Sequence, residues 1–208
     1  VGASSTRAKT TRHQDIEYGN NEHARRSVAA VVRYAADLID SDDRARILFD
    51  PANEYAMAQA DALGADWDDI ILTAMHGTAY TGVDGTTQTS YDATMTVANN
   101  VREPGVSDAA YGLNVAKLRR AKKLMDARHV PKEDRYIGVN AAAMESLLGT
   151  TRATSADYNS VRALVSGEID TFLGFKFVDC QRIVNDGTYD KVPYWHKSGV
   201  KVGIHQDV

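Results

Sequence analysis

The sequence has 208 residues, a net charge of −4 and one cysteine. A single cysteine excludes a disulfide framework and a cysteine-based zinc cluster, and no apolar run approaches the about 20 residues that cross a bilayer. Alanine outnumbers leucine more than two to one, so we expect a folded chain whose thin core is completed by neighbouring subunits. The first residue is not methionine and the last ones continue a strand-like pattern, so we expect a piece of a longer product.

Charge is unevenly distributed along the sequence. Residues 1–33 are net +3, residues 37–69 are net −8 and residues 117–135 are net +5. The simplest interpretation is a set of solvated helix faces. Blocks of opposite sign in one chain also suit repeated contacts, in which the positive patch of one copy meets the negative patch of the next.

The first fifty residues contain little regular pattern. Residues 1–24 are polar and aperiodic, which predicts a loop or an extended arm. Residues 28–40 fit a helix by the spacing of their valines and a strand by their β-branched content, so both assignments stay open.

The clearest predicted helix covers residues 51–76. Asp50 is a suitable N-cap, Pro51 suits the first helical position and Gly77 suits the position after the end. Apolar residues recur at helical spacing and predict a stripe that packs on a sheet. The stripe consists of Leu63, Trp67, Ile70, Ile71 and Ala74.

The rest of the chain alternates between short helices and strands, which predicts an α+β fold with mostly antiparallel strands. The predicted order is a hairpin turn at Asp84-Gly85, a strand over 86–97, a basic helix over 109–128 capped by Ser107 or Asp108, a strand over 135–139, a helix from the Asn140 cap to Leu148, a helix over 157–166, a strand pair around Leu173-Gly174, a turn at Asn185-Asp186-Gly187, and an incomplete strand through Trp195, Val200, Val202 and Ile204.

Reactive residues form no recognisable catalytic or metal-binding pattern. The six histidines are scattered, with no pair four residues apart on a helix, and Cys180 reads as a small buried residue rather than a nucleophile. The glycines of residues 77–85 neither follow a strand nor precede Gly-Lys-Ser/Thr, so they indicate turns. The carboxylates of residues 66–69 lack calcium-loop spacing and indicate a solvated or intersubunit face. No catalytic, metal or cofactor site is therefore predicted.

Two stretches resemble the major capsid proteins of tailed bacteriophages, in the group of short-tailed phages and their prophage relatives. The first runs through His23-Ala-Arg-Arg, Tyr34-Ala-Ala-Asp-Leu-Ile-Asp-Ser-Asp-Asp, Asp50-Pro-Ala-Asn-Glu-Tyr, Asp68-Asp-Ile-Ile and Gly77-Thr-Ala-Tyr-Thr-Gly-Val-Asp-Gly. The second runs through Asp134-Arg-Tyr-Ile-Gly-Val-Asn-Ala-Ala-Ala-Met-Glu-Ser-Leu-Leu and Gly167-Glu-Ile-Asp-Thr-Phe-Leu-Gly-Phe-Lys-Phe-Val. The resemblance covers nearly all of residues 20–208 and rests on the order and spacing of these motifs.

This resemblance implies the tailed-phage major capsid fold, an α+β fold with an extended loop, a long spine helix and an axial domain. Residues 1–50 would form the extended loop or arm region, residues 51–133 the peripheral domain with the spine helix, and residues 134–208 an axial domain that is incomplete at its C-terminus. The arm would reach across a neighbouring subunit.

The resemblance also implies a structural protein without enzymatic activity or cofactors. Such a protein forms hexamers and pentamers of an icosahedral head that encloses double-stranded DNA. The expected partners are further copies of the chain, packaged DNA bound non-specifically, and scaffold, decoration and portal proteins, with no membrane. The expected location is the virion capsid, assembled in the cytoplasm of a host bacterium.

Two other functions stay open at this point. One is a cellular nanocompartment shell of the same fold, which encloses enzymes instead of a genome. The other is a small α+β enzyme with a site around Cys180 and a histidine, which predicts a compact monomer or dimer with a deep polar pocket.

The charge blocks predict which residues meet between subunits. If the arm lies across a neighbour, its basic side chains reach the acidic block of that neighbour. The predicted interface residues are Arg7, Lys9, Arg12, Arg25, Arg26, Asp42 and Asp43.

Overall fold

A computed structural model describes residues 6–16, 18–19, 25–38, 51–102, 112–148 and 171–204. Helices and strands are both present in these ranges, so the predicted α+β class is confirmed. The chain divides into two compact units, one made of Val1–Val31 and Gly77–Tyr91, the other of Val32–His76 and Asp92–Val208.

The first unit contains a small antiparallel sheet. Its strands are β1 (Arg26–Ser27), β2 (Ala79–Thr81) and β3 (Thr87–Thr89), in that order across the sheet. The predicted turn at Asp84-Gly85 joins β2 to β3, and Gly85 has a φ of +65°. A Cβ at Gly85 would come within 2.6 Å of the Ser27 Cβ, so a side chain here would push β1 away.

Two sequence assignments next to this sheet are wrong over the described residues. Residues 28–38 form neither the helix nor the strand that their composition allowed. The strand predicted over 86–97 ends at Thr89 and is followed by a 3₁₀ turn, Ala93–Met95. The side chain of Asp92 explains the change, because its Oδ1 accepts a hydrogen bond from the Thr94 backbone and caps this turn.

The second unit contains a four-stranded sheet with the order β5–β6–β4–β7. These strands are β4 (Arg135–Val139), β5 (Thr171–Phe172), β6 (Phe175–Asp179) and β7 (Tyr194–His196). The predicted strand pair is confirmed: β5 and β6 form a hairpin through Leu173 and Gly174, both at positive φ. The β4–β6 pair is parallel and the other pairs are antiparallel, so the mostly antiparallel prediction is confirmed as well.

Two helices pack with this sheet to form the hydrophobic core. They are α2 (Val115–Ala127) and α3 (Ala141–Leu148), numbered after the long helix α1 (Pro51–His76). The core is aliphatic at its centre and aromatic on the β5–β6 hairpin. Its buried members are Leu118, Ala121, Met125, Ile137, Val139, Ala143, Leu147, Phe172 and Phe175.

Asparagine side chains cap both of these helices. The predicted Asn140 cap of α3 is confirmed, because its Oδ1 accepts a hydrogen bond from the Ala143 backbone at 2.8 Å. The predicted start of α2 at residue 109 is wrong: residues 112–114 are not helical, and the cap is the buried Asn114. The proposed caps Ser107 and Asp108 lie outside the described residues.

The long helix α1 has the predicted bounds, but its apolar stripe is only partly buried by its own chain. Trp67 is 49 % exposed and Ile70 is 42 % exposed, whereas Leu72 is 6 % exposed. At about 3.6 residues per turn, Leu72 lies on the side of the helix away from Trp67 and Ile70. Leu63 and Ile71 of the stripe are half-buried, whereas Trp67, Ile70 and Ala74 are exposed, so packing of the whole stripe on a sheet stays a prediction.

The end of the described chain also differs from its sequence pattern. The predicted turn after Asn185 is confirmed by the positive φ of Gly187 and the bridge from Asn185 to Asp190. Beyond β7, however, residues 200–204 form no strand, and Val202 and Ile204 are more than half exposed. The predicted helix over 157–166 lies outside the described residues.

The burial pattern predicts different stabilities for two matched aliphatic truncations. Leu147→Ala removes a fully buried side chain and is expected to lower the free energy of unfolding by about 2–5 kcal/mol. Ile70→Ala removes a half-exposed side chain and is expected to lower it by about 1 kcal/mol. Urea unfolding of the unassembled chain measures both values. Equal losses would contradict the placement of Ile70 outside the core.

Candidate subunit interface

The predicted basic interface residues lie on the surface of the chain. Arg7, Lys9, Arg12, Arg25 and Arg26 are all exposed, and only Arg26 belongs to a strand, where it pairs with Thr81. Their predicted partners, Asp42 and Asp43, lie outside the described residues. The meeting of these two groups between subunits therefore stays a prediction.

Apolar side chains accompany the basic ones along the same segment. Seven large apolar residues between positions 16 and 38 are at least 67 % exposed: Ile16, Tyr18, Val28, Val31, Val32, Tyr34 and Leu38. Isolated exposed apolar residues are common, but so many in one short segment are typical of a surface that another molecule covers.

The helix α1 exposes a second apolar surface. Trp67 and Ile70 lie one turn apart, and Tyr55 and Met57 are also exposed near the start of the helix. Among residues 53–76, only Leu72 is fully buried. Most of the stability of a helix in a protein normally comes from packing of its apolar face. Because this helix of 26 residues buries so little, its own unit does not supply most of its stability.

Two arginines hold α1 within its unit. Arg33 forms an ion pair with Asp66 at 3.3 Å, and the Arg182 Nε donates to the Asp69 Oδ1 at 2.8 Å. A second Arg182 nitrogen contacts the other oxygen of Asp69, so this pair is bidentate. The hydrogen bonds from Arg182 hold the pKa of Asp69 below its usual value. The carboxylates of Asp66 and Asp69 therefore form contacts within the chain, whereas the sequence indicated a solvated or intersubunit face for them.

No sequence pattern predicts the Asp69–Arg182 contact. The two residues are 113 positions apart, and neither belongs to a local motif. Only the folding of β6 and its following turn toward α1 brings them together.

A buried arginine joins α2 to the sheet. Arg135, at the start of β4, is 2 % exposed and donates to the backbone oxygens of Pro131 at 2.7 Å and Val130 at 2.6 Å. It also contacts Asp126 on α2 at 2.7 Å. Its hydrogen bond to this carboxylate lowers the pKa of Asp126. The charge is tolerated in the interior because its donors are satisfied.

Among the residues that the structure describes, reactive side chains show no comparable organisation. Cys180 is partly exposed, and burial raises the pKa of its thiol, which disfavours the nucleophilic thiolate. Among the residues with assigned structure, no three histidine, cysteine or carboxylate side chains form a metal-binding group. No helix in the described ranges is long and apolar enough to cross a membrane.

The Asp69–Arg182 pair predicts a measurable titration. NMR titration of the folded chain is expected to place the pKa of Asp69 below 3.8, and Arg182→Gln is expected to return it toward that value. Because the folded pKa is lowered, the pair stabilises the fold above the unfolded pKa. This contribution is lost as the pH falls through the folded pKa.

A matched control is Arg128→Gln, which removes another exposed arginine whose carboxylate partner is Asp92. It should leave the titration of Asp69 unchanged. If the pKa of Asp69 in the unmodified chain were not lowered, this result would contradict the bidentate contact.

Comparison with known proteins identifies the family. Residues 1–208 match the family described as phage capsid protein. A solved chain from Mycobacterium phage Che8 shares 21 % identity with a TM-score of 0.49, covering 83 % of this chain and 65 % of that one.

The capsid structure of the cyanophage P-SCSP1u gives 16 % identity and a TM-score of 0.47, with 87 % and 56 % covered. This chain thus spans less than two thirds of the length of either solved chain. No curated protein matches the sequence. The resemblance found in the sequence is confirmed by the match over all 208 residues, and the chain belongs to the phage capsid protein family, as a structural protein and not an enzyme.

Proposed function

We propose that this protein is a major capsid subunit that assembles as hexamers and pentamers into an icosahedral phage head around double-stranded DNA. Membership of the phage capsid family supports a shell function. The observation that carries the proposal is the exposure of large apolar side chains, both among the described residues between positions 16 and 38 and on α1. Such a surface needs a cover, and in a shell the neighbouring copies supply it.

We propose that the chain consists of the three regions that the resemblance implies. Residues 1–50 form the arm region, residues 51–133 the peripheral domain with α1 as its spine helix, and residues 134–208 the axial domain. The four-stranded sheet, α2 and α3 share one core, so we extend the axial domain to include α2. Since β1 hydrogen-bonds to β2, we extend the arm region to include the β2–β3 hairpin.

The proposed partners follow from the same role. Copies of this chain contact each other, the packaged DNA is held non-specifically, and scaffold, decoration and portal proteins join during assembly. Assembly takes place in the cytoplasm of a host bacterium, and the mature protein resides in the virion.

Electron microscopy of the expressed protein tests the proposal directly. We expect closed particles of uniform size, and measurement of their nucleic-acid content separates a phage head from a nanocompartment that encloses enzymes. A monodisperse monomer or dimer at all concentrations would contradict the shell function. Particles that package protein cargo and no DNA in infected or induced cells would favour the nanocompartment.

The charge blocks predict an effect of the arm on assembly. Reversing Arg25 and Arg26 to glutamate places like charges against the acidic block of a neighbour, so particle yield is expected to fall. Changing Asp42 and Asp43 to lysine in the same chain restores opposite signs, and the yield is expected to recover in part. Particle yield at about 0.1 M and about 1 M salt measures the effect, because screening weakens exposed pairs.

Lys201→Glu is a suitable control, since Lys201 is exposed and lies outside all three charge blocks. Normal assembly of the Arg25→Glu, Arg26→Glu chain at low salt would contradict the arm contact. A defect confined to DNA packaging would mean that the arm faces the genome instead.

A further inference from the structure

The sequence contains the dipeptide Asp-Gly twice, at residues 84–85 and at residues 186–187. Both aspartates are exposed, and both glycines have a positive φ, +65° for Gly85 and +94° for Gly187. The backbone nitrogen of a residue that follows aspartate can attack the side-chain carboxyl carbon, and glycine has no Cβ to hinder this attack. The two sites therefore share one reactive chemistry, and they differ in their hydrogen bonds.

At the second site, hydrogen bonds hold both reacting groups. The Gly187 N–H donates to the Asn185 Oδ1 at 2.6 Å. The Asp186 Oδ1 accepts from the backbone N–H groups of Thr188 at 3.1 Å and Tyr189 at 2.8 Å. The bonds from Tyr189 and Thr188 lower the pKa of Asp186, and an ionised carboxylate is a poor target for a nucleophile. This site is therefore protected against the reaction.

At the first site, both reacting groups are available. No hydrogen bond in the described chain includes the Asp84 carboxylate or the Gly85 N–H. Residues 82–86 form bends without backbone hydrogen bonds among themselves, beyond the Thr81–Thr87 pair that closes the β2–β3 hairpin. A segment with so few hydrogen bonds changes its backbone angles readily, so the Gly85 nitrogen can reach the Asp84 carboxyl carbon.

We propose that the Asp84-Gly85 turn is a modification site, at which aspartate isomerises spontaneously to isoaspartate and thereby releases β1 from the small sheet. The reaction needs no enzyme and no second copy of the chain. It therefore stands or falls independently of the proposed shell function.

The reaction has two steps, and its atoms balance. The Gly85 nitrogen forms a bond to the Asp84 Cγ, and the carboxyl hydroxyl leaves with the amide proton as water, which gives a cyclic imide. A water molecule then opens the ring at either carbonyl. Opening at Cγ restores aspartate, whereas opening at the main-chain carbonyl leaves the chain running through Cβ and Cγ. The composition is unchanged, and the backbone is longer by one methylene.

This extra methylene changes a tightly packed position. Gly85 lies so close to β1 that an added Cβ would be 2.6 Å from the Ser27 Cβ and 2.9 Å from its Oγ. The register of β1 on β2 consists of two pairs, Arg26 with Thr81 and Ser27 with Tyr80. A strand with so few pairs has little to hold it when Gly85 moves, so we expect β1 to separate from β2.

The first experiment compares the two sites in one sample of the full chain. The chain is incubated in mildly acidic buffer, either folded or in concentrated urea, and isoaspartate at each site is measured by peptide mapping with an isoaspartyl methyltransferase. In the folded chain we expect isoaspartate to accumulate about tenfold faster at Asp84 than at Asp186, because charged hydrogen bonds protect only the second site. In urea, where those bonds are lost, the two rates should become similar.

The second experiment measures the release of β1. Asp84→Asn forms the same ring with loss of ammonia, and ring opening yields isoaspartate and aspartate chains that chromatography separates. Trypsin cleavage between Arg26 and Ser27 is expected to be about tenfold faster in the isoaspartate chain, since cleavage follows the open population. Cleavage after the exposed Lys201, in the other unit, is the internal reference. Asp84→Glu is the matched control, because its longer side chain closes this ring poorly and keeps the charge.

Three results would overturn the inference. Equal rates at the two sites in the folded chain would show that the hydrogen bonds do not decide reactivity. A preference for Asp84 that persists unchanged in urea would assign it to the neighbouring sequence instead of the fold. Equal cleavage between Arg26 and Ser27 in the isoaspartate and aspartate chains would show that β1 stays in place after the modification.

Discussion

Packing of α2 and α3 with the four-stranded sheet is the interaction on which the rest of the described structure depends. Among the described residues, most of the large buried side chains belong to this cluster, and Phe175 and Leu147 are its least exposed members. Arg135 extends it with a polar contact, because its guanidinium joins the end of α2 to the first residue of β4. The strand β4 lies in the middle of the sheet and contacts both β6 and β7, so loss of its position would disturb every neighbouring element.

The concentration of burial in one cluster leaves the other elements without a comparable core. The helix α1 contributes Leu72 to the interior and is held by Arg33 and Arg182, while its most apolar side remains exposed. Exposed ion pairs contribute little to stability, so these contacts orient the helix more than they stabilise it. This uneven burial is expected of a subunit that forms part of an assembly, since contacts with neighbouring subunits bury apolar surface that the isolated chain exposes.

Polar caps and turns account for many of the correct sequence predictions. Pro51 and Asn140 begin helices where the sequence indicated, and the hairpin turns at Asp84-Gly85 and Leu173-Gly174 lie at the expected positions. These features depend on backbone groups within a few residues, so local sequence is sufficient to predict them. The start of α2 was predicted wrongly. Its cap, Asn114, is held in part by a hydrogen bond that its side chain donates to the backbone oxygen of Val101, 13 positions away, and a local pattern does not show such a contact.

The sequence by itself determined the family, the α+β class and the bounds of α1. It also located the charge blocks, because charge and periodicity are properties of the chain. Only the tertiary structure decided which side of α1 is covered, that Asp69 meets Arg182, and that β4 and β6 run parallel. Periodicity identifies an apolar stripe but not its partner. When the partner belongs to a distant segment or to another copy, its position depends on packing that no local pattern records.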